Sequence, residues 1–308
     1  MLKKIVIFGA GGFVGRIMCQ HMAREGHHVL GVMRNAAPTG CEFDVIVARD
    51  PGDIISQLQS YDWAINCIGR AHVLKSEPPE LARKRYFDVN HHLAVQLAQA
   101  AIDAELTGFA QISSVAAVRS YSDKGTLVDD SSLPAPDRIY GASKLHADRE
   151  LLALNSRKTS VVCLRPPALI GEQPAGLVGK LARAAKLGLP LPFGSIKNRR
   201  SFMAVENLAD ATLAALEAQA TGAFIVTDSD PVSVAEIYRN LTRQAGHKYR
   251  CPSLPKPIVK MLAKIVLRGR TDSLLGDAAY DGSAFREHVG WKPPMSLEKA
   301  MVRMMASL

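Results

Sequence analysis

Apolar residues fall into two alternating patterns along the first half of the chain. Short runs at residues 4–8, 28–33, 63–68, 109–113 and 160–165 are nearly unbroken, as in strands buried on both faces. Between them apolar positions recur every three or four residues, the mark of helices with one buried face. This alternation predicts an α/β architecture, a doubly wound parallel sheet with helices on both sides. After Arg165 the regularity fails, and Pro166, Pro167, Pro174, Pro190 and Pro192 crowd a loop-rich stretch. Residues 206–220 then read as a helix returning to the sheet, and Phe224-Ile225-Val226 as a further strand. Ser233-Val234-Ala235-Glu236 is a capping box that opens another helix. The expected domains are therefore interleaved. Residues 1–165 form the sheet domain, with 200–230 returning to it, and 166–199 with 231–308 form a smaller, mostly helical lobe.

Composition sets the bounds. With 308 residues, 47% of them hydrophobic, the chain can build one large core and a smaller one. The five cysteines (Cys19, Cys41, Cys67, Cys163, Cys251) are scattered and lack metal-ligand spacing, which predicts free thiols in a reducing compartment and no metal. No apolar stretch approaches the roughly eighteen residues of a membrane span. The opening apolar run meets glycine after a few residues, unlike a signal peptide, so a cytoplasmic location is expected. The net charge is +9, yet the basic residues are dispersed and aromatic content is only 6%, which argues against nucleic acid. Such a field suits small phosphorylated ligands. The basic amphipathic run Pro257–Arg268 fits either an anionic membrane surface or a cover for the smaller lobe's core.

Chemistry enters at the first strand. It runs into Gly9-Ala10-Gly11-Gly12-Phe13-Val14-Gly15 and then a helical pattern through Met18 and Met22. Gly9 permits a tight turn, Gly12 lets backbone approach a pyrophosphate, and Gly15 lets helix pack on strand. The phosphates then meet the helix N-terminus. A Rossmann dinucleotide site follows from this context. At the end of the second strand an NAD-specific site usually carries an acid; here Met33 and Arg34 stand instead. A guanidinium grips a 2′-phosphate where a carboxylate would repel it, so NADP(H) is favoured over NAD(H). Asp50, after the next strand-like run, is a candidate for the adenine amino group or a plain turn residue.

Farther along, Tyr140 and Lys144 lie four residues apart on a predicted helix, on one face. A neighbouring ammonium favours the phenolate and is expected to lower the tyrosine pKa toward working pH. Ser113 and Ser114 end the fifth strand, where parallel sheets place their chemistry.

The glycine spacing, the Tyr-x-x-x-Lys pair, Asn66–Val73, Asn90, Ile112-Ser113-Ser114, Arg165–Gly171, Asn198–Phe202 and Gly290–Pro294 occur in an order that resembles the extended short-chain dehydrogenase/reductase family. The likeness is to its nucleotide-sugar branch of UDP-glucose 4-epimerases and UDP-4-keto-sugar reductases. That resemblance implies catalytic roles for Tyr140, Lys144, Ser114 and Asn90. Ser114 rather than Ser113 would bond the substrate oxygen, and Asn90 would hold a water at a helix kink or simply cap a helix. Cofactor contacts would come from Gly9, Gly12, Phe13, Val14, Gly15, Arg34, Asp50, Ile68, Gly69, Arg70 and Pro167, and from Tyr140 with Lys144, the lysine on the nicotinamide ribose. Substrate would meet His72, Ser114 and Tyr140, with its diphosphate on Arg200. Ser273 stands where a second phosphate arginine is expected, so Arg270 is the nearby substitute. A homodimer is also implied. The activity expected is NAD(P)H-dependent reduction of the 4-keto group of a UDP-linked 6-deoxy-N-acetylhexosamine, for a surface polysaccharide. The alternatives are 4-epimerisation of a UDP-hexose or UDP-N-acetylhexosamine with bound NAD, and a non-catalytic dinucleotide-binding sensor or scaffold.

Overall fold

Lys4–Phe8 (β1) places Ile5 and Ile7 in one hydrophobic core and Val6 and Phe8 in another, because successive strand residues face opposite sides of the sheet. The computed structural model describes residues 1–35, 41–48, 51–71, 77–154, 157–172, 176–249, 251–255, 257–259, 261 and 272–308. Seven parallel strands form the main sheet, in the order β3-β2-β1-β4-β5-β6-β9. They are β1, His28–Met33 (β2), Asp44–Val47 (β3), Trp63–Asn66 (β4), Gly108–Ile112 (β5), Ser160–Arg165 (β6) and Gly222–Ile225 (β9). Since β1 pairs with both β2 and β4, the winding reverses between β1 and β4. A reversal of this kind leaves a crevice beyond the strands' C-terminal ends.

Helices Phe13–Arg24 (α1) and Val205–Glu217 (α6) cover one face of the sheet. Leu93–Asp103 (α3) and Ile139–Ala153 (α4) cover the other. Between these faces β5 is buried along its whole length, which is why its sequence carries no polar stripe. The expected run 63–68 stops as a strand at Asn66, because the chain leaves the sheet there and enters the crevice.

Two further strands, Ala168–Ile170 (β7) and Phe202–Ala204 (β8), pair in parallel as a separate small sheet. They pack with Gly176–Lys186 (α5), Val234–Gln244 (α7) and the C-terminal helix Leu297–Ala306 around Leu181, Phe202, Tyr238, Leu241 and Met301. The capping box on α7 is complete: Ser233 Oγ accepts from the Glu236 N–H at 3.1 Å, and Glu236 accepts from the Ser233 N–H at 2.7 Å. Most of the basic run 257–268 lies outside the described residues. Among the described residues no helix is long and apolar enough to cross a membrane.

The long connection from β5 to α4 frames the crevice, and several links hold it in place. Among them, Val128 forms a parallel bridge with Tyr280, and Asp130 Oδ1 accepts from the Ile225 N–H of β9 at 2.7 Å. Burial pushes the Asp130 carboxyl up to about 6, against the opposing pull of that N–H and of Arg165. The folded chain thus holds this proton more tightly than the unfolded chain does. Its stabilising contribution is complete below the unfolded value and is lost as pH rises through about 6. Asp130→Asn keeps the acceptor and removes the charge. Chemical denaturation should show the variant gaining roughly 1–3 kcal/mol on wild type near pH 7 and nothing near pH 3, with the folded-state slope between those values flattened.

Candidate active site

The glycine loop is built for close approach. Gly9 has φ +83°, and a Cβ there would lie 3.0 Å from the Ile68 nitrogen. Gly12 donates to the Gly9 carbonyl at 2.9 Å, and a Cβ on Gly15 would fall 2.2 Å from that same oxygen. No L-residue with a side chain fits at Gly15 without moving backbone. Helix α1 begins at Gly12, which has no side chain to cap it, so the first-turn amides around Phe13 and Val14 have no side-chain acceptor there. That arrangement fits a pyrophosphate, which uses backbone donors and the positive end of the helix. The Phe13 ring itself turns away toward Gly171. Met33 is buried behind the loop, whereas Arg34 is exposed at the end of β2.

Across the crevice, the first turn of α4 carries Tyr140, whose hydroxyl hydrogen-bonds with Ser114. Ser114 Oγ also accepts from the Ala116 N–H at 3.2 Å, which fixes the serine at the end of β5. Ser113 points the other way, into the buried side of the sheet beside Asp148. The two serines thus separate by strand alternation.

Lys144 is buried one turn further on, and its Nζ donates to the Ile112 carbonyl at 2.8 Å. A Cβ on Gly69 would come within 3.5 Å of that Nζ. Glycine at 69 therefore keeps open a space that the ammonium borders. An ammonium has three protons, so the Ile112 carbonyl leaves donors for the diol of a nucleoside ribose.

The electrostatics correct one expectation. Burial pushes the Tyr140 phenol up from its ordinary value, the Ser114 hydrogen bond opposes this, and Asp148 and Tyr86 add to the rise. Lys144 does not offset that rise as the spacing predicts; its ammonium bonds the Ile112 carbonyl instead. Desolvation brings the ammonium down to about 8, while Asp148 opposes the drop. Tyr140 is thus held as a neutral acid, a proton donor rather than a phenolate.

Asn90 is fully buried in a π-helical turn, Asp88–His92, between Pro79–Phe87 (α2) and α3. Its side chain accepts from the Arg70 N–H at 2.7 Å and donates to the Arg70 carbonyl at 3.1 Å and to Ser143 Oγ at 3.0 Å. Asn90 therefore caps no helix; it clamps the Ile68-Gly69-Arg70 segment against α4. The Arg70 guanidinium turns outward to Glu77 at 2.5 Å and lies 5.4 Å over the Tyr86 ring. Tyr86 in turn meets the Tyr140 ring edge-on at 6.3 Å. Pro167 is buried just beyond β6.

Arg200 bridges Val232 and Ala278, its Nη1 donates to the Gly276 carbonyl at 2.9 Å, and Tyr121, Tyr280 and Asp277 surround it. Burial lowers its pKa against the pull of those three groups. Asp50, His72 and Arg270 lie outside the described residues, and only the backbone of Ser273 is described.

One pair escaped the sequence reading. Asp148 is fully buried on α4, and its Oδ2 accepts from Arg165 Nε of β6 at 2.8 Å. The available signal was spacing: Tyr140, Lys144 and Asp148 continue a four-residue repeat along one helix face.

The family model described as "NAD dependent epimerase/dehydratase family" matches residues 5–226. A UDP-glucose 4-epimerase from Vibrio cholerae is 31% identical over 97% of this chain and 93% of its own. A 2-alkyl-3-oxoalkanoate reductase from Stenotrophomonas maltophilia is 24% identical over 99% of each. Among solved structures, UDP-N-acetylglucosamine 4-epimerase from Bacillus cereus superposes with a TM-score of 0.79 at 18% identity, covering 99% of this chain and 98% of that one. With its Rossmann sheet, its glycine loop and these relatives, the chain belongs to the NAD dependent epimerase/dehydratase family of nucleotide-sugar enzymes.

Proposed function

We propose that this enzyme reduces the 4-keto group of a UDP-linked 6-deoxy-N-acetylhexosamine with NADPH. The observation that carries the choice of reduction is Arg34, exposed beside the glycine loop where an NAD-holding carboxylate would otherwise stand. Net reduction consumes NADPH at each turnover, whereas epimerisation returns its cofactor unchanged, so a site that selects the 2′-phosphate suits reduction. When bound, the nicotinamide supplies hydride to the sugar's C4.

The chain's own residues do the rest. Tyr140, neutral and bonded to Ser114, donates its proton to the oxygen that gains charge at C4, and Ser114 steadies that oxygen. Lys144 holds the nicotinamide ribose from beside Gly69. Asn90 fixes the backbone against which the cofactor lies. Arg200 grips the substrate diphosphate with its planar fork from between the main sheet and the smaller lobe built on β7, β8, α5 and α7.

A second reading, 4-epimerisation of a UDP-sugar with retained NAD, is favoured by the likeness to the Vibrio cholerae epimerase along nearly the whole chain. The same tyrosine and serine serve both reactions. The two separate on cofactor content: protein isolated without cofactor that oxidises NADPH when given a UDP-4-keto-6-deoxy-N-acetylhexosamine supports reduction. Protein isolated with NAD that interconverts UDP-GlcNAc and UDP-GalNAc without added cofactor supports epimerisation.

Tyr140→Phe should lower kcat by roughly 10²–10⁴ with NADPH affinity little changed, the usual share of one positioned acid. Unaltered turnover would remove Tyr140 from the chemistry. Arg34→Asp should reverse the preference between NADPH and NADH in kcat/KM. Equal kinetics for the two cofactors in wild type would show that Arg34 reads no phosphate.

A further inference from the structure

Lys144 occupies an unfavourable place for a charge. It is 3% exposed, and of its three protons one meets a carbonyl, that of Ile112. An ammonium so placed tends to shed its proton, and a neutral amine would hold a ribose diol less firmly. One turn further along the same buried face stands Asp148, 0% exposed.

We propose that Asp148, locked by Arg165, is a positioning residue that keeps Lys144 protonated and aimed at the Gly69 side of the crevice. This rests on the reading of Tyr140 and Lys144 as the reacting pair, and goes beyond it by naming what holds that pair in its working state. Asp148 itself touches neither substrate nor cofactor; it lies on the sheet side of α4, beneath the lysine.

The surroundings favour the assignment. From β6, Arg165 bonds the carboxylate at 2.8 Å, and the Cys163 thiol lies against it. From β5, the Ser113 hydroxyl adjoins it. Cys67, after β4, faces Lys144 from the far side, and burial pushes its thiol up to about 12. Burial likewise drives Cys163 well above the usual thiol range. Both thiols are therefore neutral at working pH, and Tyr140 is neutral as well. Asp130, on the β5–α4 connection, also feels the charge of Arg165. Asp148 is thus the one carboxylate acting on Lys144 in this cluster among the described residues, and it opposes the burial that draws the ammonium down to about 8. Burial pushes the Asp148 carboxyl up as well, and the Arg165 guanidinium, the Ser113 hydroxyl and Lys144 oppose that rise. Asp148 also makes Tyr140 a weaker acid. One carboxylate in this way favours the protonated form of both Lys144 and Tyr140, and the reduction consumes the tyrosine's proton alone.

The test is a titration of lysine Cε resonances in ¹³C-lysine-labelled protein, with Lys144 assigned by its loss in Lys144→Met. Wild type should show a midpoint near 8. In Asp148→Asn it should fall by roughly one unit or more, as expected when an opposite charge is removed from a buried site. Asp148→Glu should restore it. The alkaline loss of NADPH binding, followed by nicotinamide fluorescence, should move to lower pH in step with the resonance.

An unchanged midpoint in folded Asp148→Asn overturns the proposal. Should that variant not fold by circular dichroism, the wild-type carboxyl resonance decides instead. Asp148 ionised from pH 6 to 9 supports the proposal, and a neutral carboxyl at pH 7 overturns it. A shifted lysine midpoint with an unshifted binding curve would uphold the link to Asp148 and overturn Lys144's place at the ribose.

Discussion

The structure turns on an ammonium buried where a parallel sheet ends. Lys144 lies under the C-terminal ends of β4 and β5, bonded to a strand carbonyl, with a glycine opposite that leaves room for a ligand. Burying an unpaired charge costs several kcal/mol, so the fold around it must supply compensation. Asp148 and Arg165 provide opposite and balancing charges from the sheet side. Among the described residues only the Ile112 carbonyl meets the Lys144 donors, so a ligand bound there, as proposed, would convert part of the cost of burial into affinity.

Around this point the architecture assigns separate tasks to its two layers. Backbone geometry makes the proposed phosphate site, since Gly9, Gly12 and Gly15 work by lacking side chains. Side chains make the proposed reacting site, since Tyr140, Ser114 and Lys144 come from a helix start and a strand end that pack directly against each other. The Asn90 clamp joins the two, holding the segment after β4 to α4 through Arg70 and Ser143. It does so from within a π turn, an irregularity frequent at functional sites.

Much of this was legible in the sequence, for physical reasons. Strands buried on both faces announce themselves as apolar runs, so β1, β2 and β6 match their expected limits. The run 63–68 overshot because Cys67 and Ile68 are apolar for a different purpose, lining the turn into the crevice. The pair β7 and β8 went unseen because three residues are too few to show a period. Spacing placed Tyr140 and Lys144 on one face correctly, but it carries no information on depth. The direction of the tyrosine's pKa is decided by depth, so the expectation failed there. Asp148 was hidden for the same reason: on a sequence it reads as one more polar helix residue, and only its partner on β6 shows that it is buried.

The proposed reduction requires hydride to reach a sugar carbon held against Tyr140. Incubation of the protein with NADPH deuterated at the nicotinamide C4 and a UDP-4-keto-6-deoxy-N-acetylhexosamine, followed by NMR of the product, tests it directly. The account predicts deuterium at C4 of the sugar. A 4-hydroxy product with no deuterium at C4 in any of its molecules, using cofactor labelled on either face, would contradict it.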